Sequence, residues 1–163
     1  MPCLTGHFYF VSLPMPETIF TYDQLFQFTN NIFKKIGCSD EHASTAARAL
    51  IAADLRGIDS HGVARLSGYV RLWEAGRVNS QPDIKVIYES PSTAVVDGGS
   101  GLGLVVAPFA MQVAIEKAKH AGTGWVSVQN SNHFGIAAHH AMMALEHDMI
   151  GSNTKMITVL YTY

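Results

Sequence analysis

Asp54-Leu55-Arg56-Gly57-Ile58-Asp59-Ser60-His61-Gly62-Val63-Ala64-Arg65 sets two aspartates, two arginines, a histidine and two glycines between two segments of helical apolar periodicity. Packing alone does not ask for polar residues at that density where one helix stops and another starts. Gly57 suits a helix exit, because glycine tolerates the left-handed backbone that such an exit often needs. Asp59 or Ser60 is placed to cap the next helix by accepting from a free backbone N–H. On that helix His61 and Arg65 would be four residues apart and share a face. A titratable ring beside a permanent cation is a grip for a small carboxylate. The competing reading is structural: His61 caps the helix start and Arg65 solvates its outer face.

Working upstream, Ser39 caps the preceding helix, Asp40 and Glu41 sit where the helix dipole favours negative charge, and Ala43, Ala46, Ala47, Leu50 and Ile51 make a smooth packing face. Before it, Thr21 and Gln24 form a capping box for a helix whose apolar face runs Leu25, Phe28, Ile32, Ile36 and which Gly37 ends. Downstream, Leu66, Tyr69, Val70 and Trp73 form the inner face of a third helix that ends at Gly76.

The period then changes. Ile84, Val86 and Tyr88 alternate with Lys85, Ile87 and Glu89, as in a strand with one buried face, and Ala94-Val95-Val96 is a second strand ending at Asp97. Gly98-Gly99-Ser100-Gly101-Leu102-Gly103 is expected to be a tight turn that lets backbone pass close to something. Its spacing is not that of a Rossmann phosphate turn, and no acidic residue about 20 positions on ends a following strand. A long helix to about His120 follows, with Pro108 in its first turn or else bending it. Trp125-Val126-Ser127-Val128 is a third strand running into a second polar constellation, Asn130-Ser131-Asn132-His133-Phe134-Gly135, ahead of a helix from about Ile136 to His147. His133 at a strand end is where α/β proteins place chemistry. The alternative is a histidine satisfied within a turn that Asn130 and Asn132 close. His139, His140 and His147 lack a metal-ligand spacing, so no metal site is expected.

The whole-chain numbers fit one soluble domain: 163 residues, 48% hydrophobic, 15% charged. A formal charge of −2 with no basic cluster argues against a nucleic-acid partner. No stretch approaches the roughly 20 apolar residues of a membrane span, and Phe8-Tyr9-Phe10-Val11 lacks the basic flank of a signal peptide. Cys3 and Cys38 make no disulfide framework, which points to a reducing compartment, the cytoplasm. Met156 to Tyr163 is β-prone and, as a free segment, an aggregation risk.

Three stretches resemble the type 2 malate/L-lactate dehydrogenase family: Asp54 to Arg65, Val96-Asp97-Gly98 with the glycines and helix that follow, and Asn130-Ser131-Asn132-His133-Phe134-Gly135. The resemblance runs from about Tyr22 to Gly151 and covers less than half of the family's usual length. It implies an α/β (α+β) fold of non-Rossmann type, incomplete, divided into an irregular leader (1–20), a helical N-terminal unit (21–80), a partial α/β domain (81–151) and a divergent tail (152–163). It also implies an acid/base histidine at His133 and substrate-binding His61 and Arg65. NAD or NADP would be the cofactor, held mostly by residues beyond this chain, and a homodimer the assembly. The expected reaction is oxidation of a small 2-hydroxy acid such as malate or lactate to its 2-oxo acid. The alternative is a truncated, non-catalytic member lacking most of the cofactor domain.

Overall fold

The computed structural model describes residues 18–154. Cys3, most of the expected leader and the β-prone segment from Met156 lie outside the described residues.

Two helices lie first in the chain, α1 (Tyr22–Lys35) and α2 (Asp40–Asp54). Both start as the sequence asks. Thr21 Oγ1 accepts from the N–H of Gln24 at 3.3 Å while the Gln24 side chain accepts from the N–H of Thr21 at 2.9 Å. Ser39 Oγ accepts from the N–H of His42 at 3.2 Å. Gly37, at φ +96°, provides the left-handed residue that lets the chain turn between them.

The buried face of α1 is rotated from the expected one. Phe28 is 56% exposed, whereas Phe33 is fully buried with Ile36 beside it. Thr29 and Asn30 share that inward face with Ile36 and the partly buried Ile32, so the apolar pattern errs at Phe28 and misses Phe33. Burying Phe33 contributes roughly 1.5–3 kcal/mol. The alanine face of α2 is buried as expected: Ala43, Ala46, Ala47, Leu50 and Ile51 are at most 1% exposed.

After Gly57, at φ +66°, the chain makes two 3-10 turns, Asp59–His61 and Val63–Arg65, before α3 (Leu66–Glu74). This corrects the expectation of one helix across His61 and Arg65. Neither Asp59 nor Ser60 caps a helix, and Gly62, between the two turns, sits in an extended conformation that breaks the helical path. Leu66 and Tyr69 are buried, while Trp73 faces outward and Leu72 takes its place against the core.

The second part is a three-stranded sheet in the order β1 (Lys85–Glu89), β2 (Thr93–Gly101), β3 (Trp125–Ser131). β1 pairs antiparallel with β2, and β2 pairs parallel with β3 through the crossover helix α4 (Gly103–Ala121). A bulge between Val86 and Tyr88 shifts the β1 register and leaves Tyr88 64% exposed, against the expected alternation. The glycine run is not a free turn: Gly98 to Gly101 belong to β2, with Gly99 and Ser100 at positive φ where the ladder with β3 is interrupted. Pro108 stands beyond the first turn of α4, where it lacks the N–H that would bond the Leu104 carbonyl. The last helical segment is shorter than expected, α5 (Ala137–Ala141) passing into a 3-10 stretch Met142–His147.

Leu102, Leu104 and Val105, at the start of α4, pack into the same core as Phe33, Leu50, Leu66 and Tyr69. Val96, Val106 and Ala110 make a second, smaller core between α4 and the sheet. One helix thus ties the helical unit to the sheet. No helix among the described residues is long and apolar enough to cross a membrane.

Candidate active site

The two polar constellations meet. The rings of His61 and His133 lie 5.6 Å apart, centre to centre, tilted by 31°. Each comes from a differently built segment.

On the first, the Asp54 carboxylate at the end of α2 accepts from the N–H of Val63 at 2.9 Å and lies directly against Gly62. A Cβ there would collide with that carboxylate and force the Asp54 side chain to shift. Burial raises the Asp54 pKa above the ordinary carboxyl value, the Val63 N–H opposes that rise, and the charge of Asp59 adds to it. The Ser60 hydroxyl lies 3.0 Å from Nδ1 of His61. The Arg65 Nε donates to the carbonyl of Ser60 at 2.9 Å, so the exposed guanidinium is tied back to the turn that carries His61. His61 and Arg65 are therefore joined by a side chain–backbone bond across two turns rather than by a shared helix face.

On the second, Asp97 at the bend of β2 accepts from Gln129 at 2.9 Å, from the N–H of Gly99 at 2.8 Å and from Asn130 at 2.8 Å. Those bonds hold its carboxyl below the usual range, the one from Gln129 most of all. They also pin Asn130 at φ +49°, a conformation that asparagine tolerates better than most residues. Asn132 donates to the carbonyls of Ser100 and Gly101, each at 3.0 Å. The two asparagines thus fasten the segment to β2 instead of closing local turns. Gly98 and Gly103 complete the fit, since a Cβ at Gly98 would meet the Asn130 carbonyl and one at Gly103 the backbone of Asn132 and His133. The close approach that the glycines allow is to the chain's own His133 segment. Their open sides are filled, so they make no cradle for the phosphates of a dinucleotide.

The sequence pattern places Tyr69 only in the core, yet its hydroxyl lies 2.8 Å from Nδ1 of His133. The residue is 3% exposed and its ring meets Phe33 edge-on at 6.3 Å. Burial pushes its phenol well above the ordinary value, and the positive charge of Arg65 pulls it partly back. The available signal was spacing: Tyr69 follows Arg65 by four residues. The N–H of Gly135 also donates to His133 Nδ1, at 3.3 Å. That local bond is the one feature the turn-histidine reading anticipated.

The grouping brings together two half-buried imidazoles, a buried phenol and a nearby guanidinium. Such a set can bind a small carboxylate and exchange a proton with the oxygen beside it. Two surface clefts, of about 390 and 370 Å³, lie elsewhere, one lined by Glu89, Gln112 and Lys117 and the other by His42, Asp83 and Phe109. Neither includes these residues. Among the described residues no group of three or more His, Cys, Asp or Glu could hold a metal ion. Cys38 is buried and free, and burial pushes its thiol up to about 11.

A sequence profile of malate/L-lactate dehydrogenase matches residues 20–158. Malate dehydrogenase of Pyrococcus abyssi is 51% identical over 129 residues, which is 79% of this chain and 36% of that protein. L-sulfolactate dehydrogenase of Methanocaldococcus jannaschii is 46% identical over 121 residues, 74% of this chain and 35% of that protein. Among solved structures, sulfolactate dehydrogenase from Methanocaldococcus jannaschii superposes with a TM-score of 0.79 at 42% identity, over 81% of this chain and 38% of that one. Malate dehydrogenase from Pyrococcus horikoshii OT3 gives 0.75 at 48% identity, over 77% and 36%. The chain spans about 36% of the length of the curated relatives it matches.

Proposed function

This chain belongs to the malate/L-lactate dehydrogenase family, and from that premise we propose that it carries the substrate side of an oxidoreductase interconverting a small 2-hydroxy acid and its 2-oxo acid. Malate, lactate and sulfolactate are the candidate substrates. The observation that carries the reading is the convergence of His61 and His133 from separate parts of the chain, with Tyr69 on the ring of His133.

In this reading Arg65 pairs with the substrate carboxylate through a planar fork, and His61 hydrogen-bonds the carboxylate or the hydroxyl oxygen. His133 takes the hydroxyl proton in oxidation and returns it in reduction, a task suited to an imidazole because it titrates near neutral pH. NAD or NADP, when bound, supplies the hydride acceptor. Tyr69 holds the ring of His133 in place and keeps water from its buried side. Pairing of two copies belongs to the same proposal.

Binding tests the reading first. Adding malate or oxaloacetate to the histidine-labelled chain is expected to shift the imidazole signals of both His61 and His133. Arg65→Ala should weaken that binding by about 10- to 100-fold, the worth of a charge-assisted hydrogen bond. Unchanged affinity removes Arg65 from the site. Where turnover with NAD(P) is measured, His133→Ala should lower it by roughly 100-fold or more. The second reading, carried over from the sequence, is that the chain binds the acid and does not turn it over. Binding without turnover supports that reading, and robust turnover of malate rejects it.

A further inference from the structure

The peptide unit between Phe134 and Gly135 is hydrogen-bonded on both sides. Its carbonyl oxygen lies 2.7 Å from Nε2 of His140, and its N–H points at Nδ1 of His133, 3.3 Å away. Donor and acceptor roles follow from chemistry. A carbonyl only accepts, so Nε2 of His140 carries a hydrogen. A backbone N–H only donates, so Nδ1 of His133 presents a lone pair.

His140 is built for this contact and for little else. It is 0% exposed, its ring lies 5.4 Å from that of Phe134 and 5.2 Å from that of His139, and its Nδ1 has no partner among the described residues. Burial lowers its pKa, and the bond to Phe134 opposes that only in part, so the ring is neutral at neutral pH. The buried Nδ1 is then a bare acceptor, and the hydrogen bond that orients the ring is the one to the Phe134 carbonyl. Polarising a peptide at its carbonyl makes its N–H a stronger donor, because hydrogen bonds in a chain reinforce one another. Gly135, at φ +79°, adopts the backbone conformation that places this peptide between the two rings.

We propose that His140 is a positioning residue: through the Phe134–Gly135 peptide it keeps neutral His133 in the tautomer with its proton on Nε2. Tyr69 then donates its hydroxyl hydrogen to the same Nδ1. Nε2–H is a donor suited to the carbonyl oxygen of a 2-oxo acid. The proton given up in reduction comes from the imidazolium, which carries hydrogens on both nitrogens. Its transfer from Nε2 leaves the Nδ1–H ring with that hydrogen turned to the Tyr69 oxygen, the same ring that takes the proton in oxidation. This consequence rests on His133 being the acid/base group, whereas the tautomer assignment does not.

The test is nitrogen NMR of the whole chain with labelled histidine, at a pH where His133 is neutral. His133 is expected to be protonated on Nε2, with scalar couplings across both bonds, Gly135 N to His133 Nδ1 and His140 Nε2 to the Phe134 carbonyl carbon. His140→Phe keeps a ring and removes the donor; the ratio of Nε2–H to Nδ1–H forms should fall by up to about twofold, the polarisation that one hydrogen bond lends the next. His140→Gln, which restores an N–H, should recover part of that ratio. A native His133 protonated on Nδ1, or an unchanged ratio in folded His140→Phe, overturns the relay while leaving the acid/base assignment to the turnover of His133→Ala. If His140→Phe does not fold, the native tautomer and the two couplings decide: both couplings support the relay, and absence of either overturns it.

Discussion

The hydroxyl of Tyr69 lies 2.8 Å from Nδ1 of His133, and this bond joins α3 to the segment that leaves β3. It couples the helical core, through the edge-on contact of Tyr69 with Phe33, to the titratable ring of the candidate site. Tyr69→Phe keeps the buried ring and deletes the bond. The expected loss is about 0.5–1.5 kcal/mol in denaturant unfolding, with a displaced imidazole signal for His133. Unmoved His133 signals would show that the phenol does not act on that ring.

Gly62 and Asp54 are a coupled pair, the carboxylate filling the space beside the glycine and accepting from the next N–H. A methyl group at Gly62 enters the space of the Asp54 carboxylate and displaces the acceptor of the Val63 N–H. Gly62→Ala should cost about 1–3 kcal/mol through overpacking. In combination with Asp54→Ala the losses should be smaller than their sum, because the collision is gone. Additive losses in a double-mutant cycle would contradict this account.

Gly103 and Gly68 separate a glycine that is needed from one that is not. A Cβ at Gly103 meets the backbone of Asn132 and His133, which cannot swing aside as a side chain can. Gly103→Ala should destabilise by at least about 1–3 kcal/mol and shift His133. Gly68 lies within α3 with nothing within 4 Å of its missing Cβ. Gly68→Ala should therefore be neutral or stabilise by about 0.4–1 kcal/mol. Thermal unfolding of the two variants checks both.

Acid should weaken the fold through His139. Burial chiefly, then the charges of His140, Arg56 and Arg48, bring its pKa down to about 4 from an ordinary value of 6.5. Between those values the unfolded chain binds the proton and the folded chain does not, so stability is full above pH 6.5 and falls as pH drops towards 4. His139 is only half-buried, and solvent screening reduces the effect to on the order of 1–2 kcal/mol. His139→Gln should flatten the pH dependence of unfolding over this window. An unchanged slope would assign the acid sensitivity to other groups.

Some of this architecture is written in short-range chemistry. The Thr21–Gln24 box, the Ser39 cap and the alanine face of α2 depend on residues within a few positions of each other, and each forms as read. The family is legible for a similar reason, since the two polar motifs are dense, local and specific. Where the local signal is ambiguous, packing decides. Phe28 and Phe33 are both aromatic residues of α1, and which one is buried depends on how α1 packs against the rest of the helical core. Tyr88 alternates properly in sequence, but a bulge in its pairing with β2 turns it outward.

The sequence by itself determined the starts of α1 and α2, the change from helical to strand period and the residue types gathered in the candidate site. Only the tertiary structure decided that His61 and Arg65 lie on two separate 3-10 turns, that Gly98 and Gly103 make room for the chain's own Asn130–His133 segment, and that Tyr69 and the Phe134–Gly135 peptide share one nitrogen of His133. The physical reason is range. Capping and periodicity act over one or two turns of chain. A hydrogen bond between side chains far apart in sequence exists only after α4 has drawn the helices and the sheet onto one core.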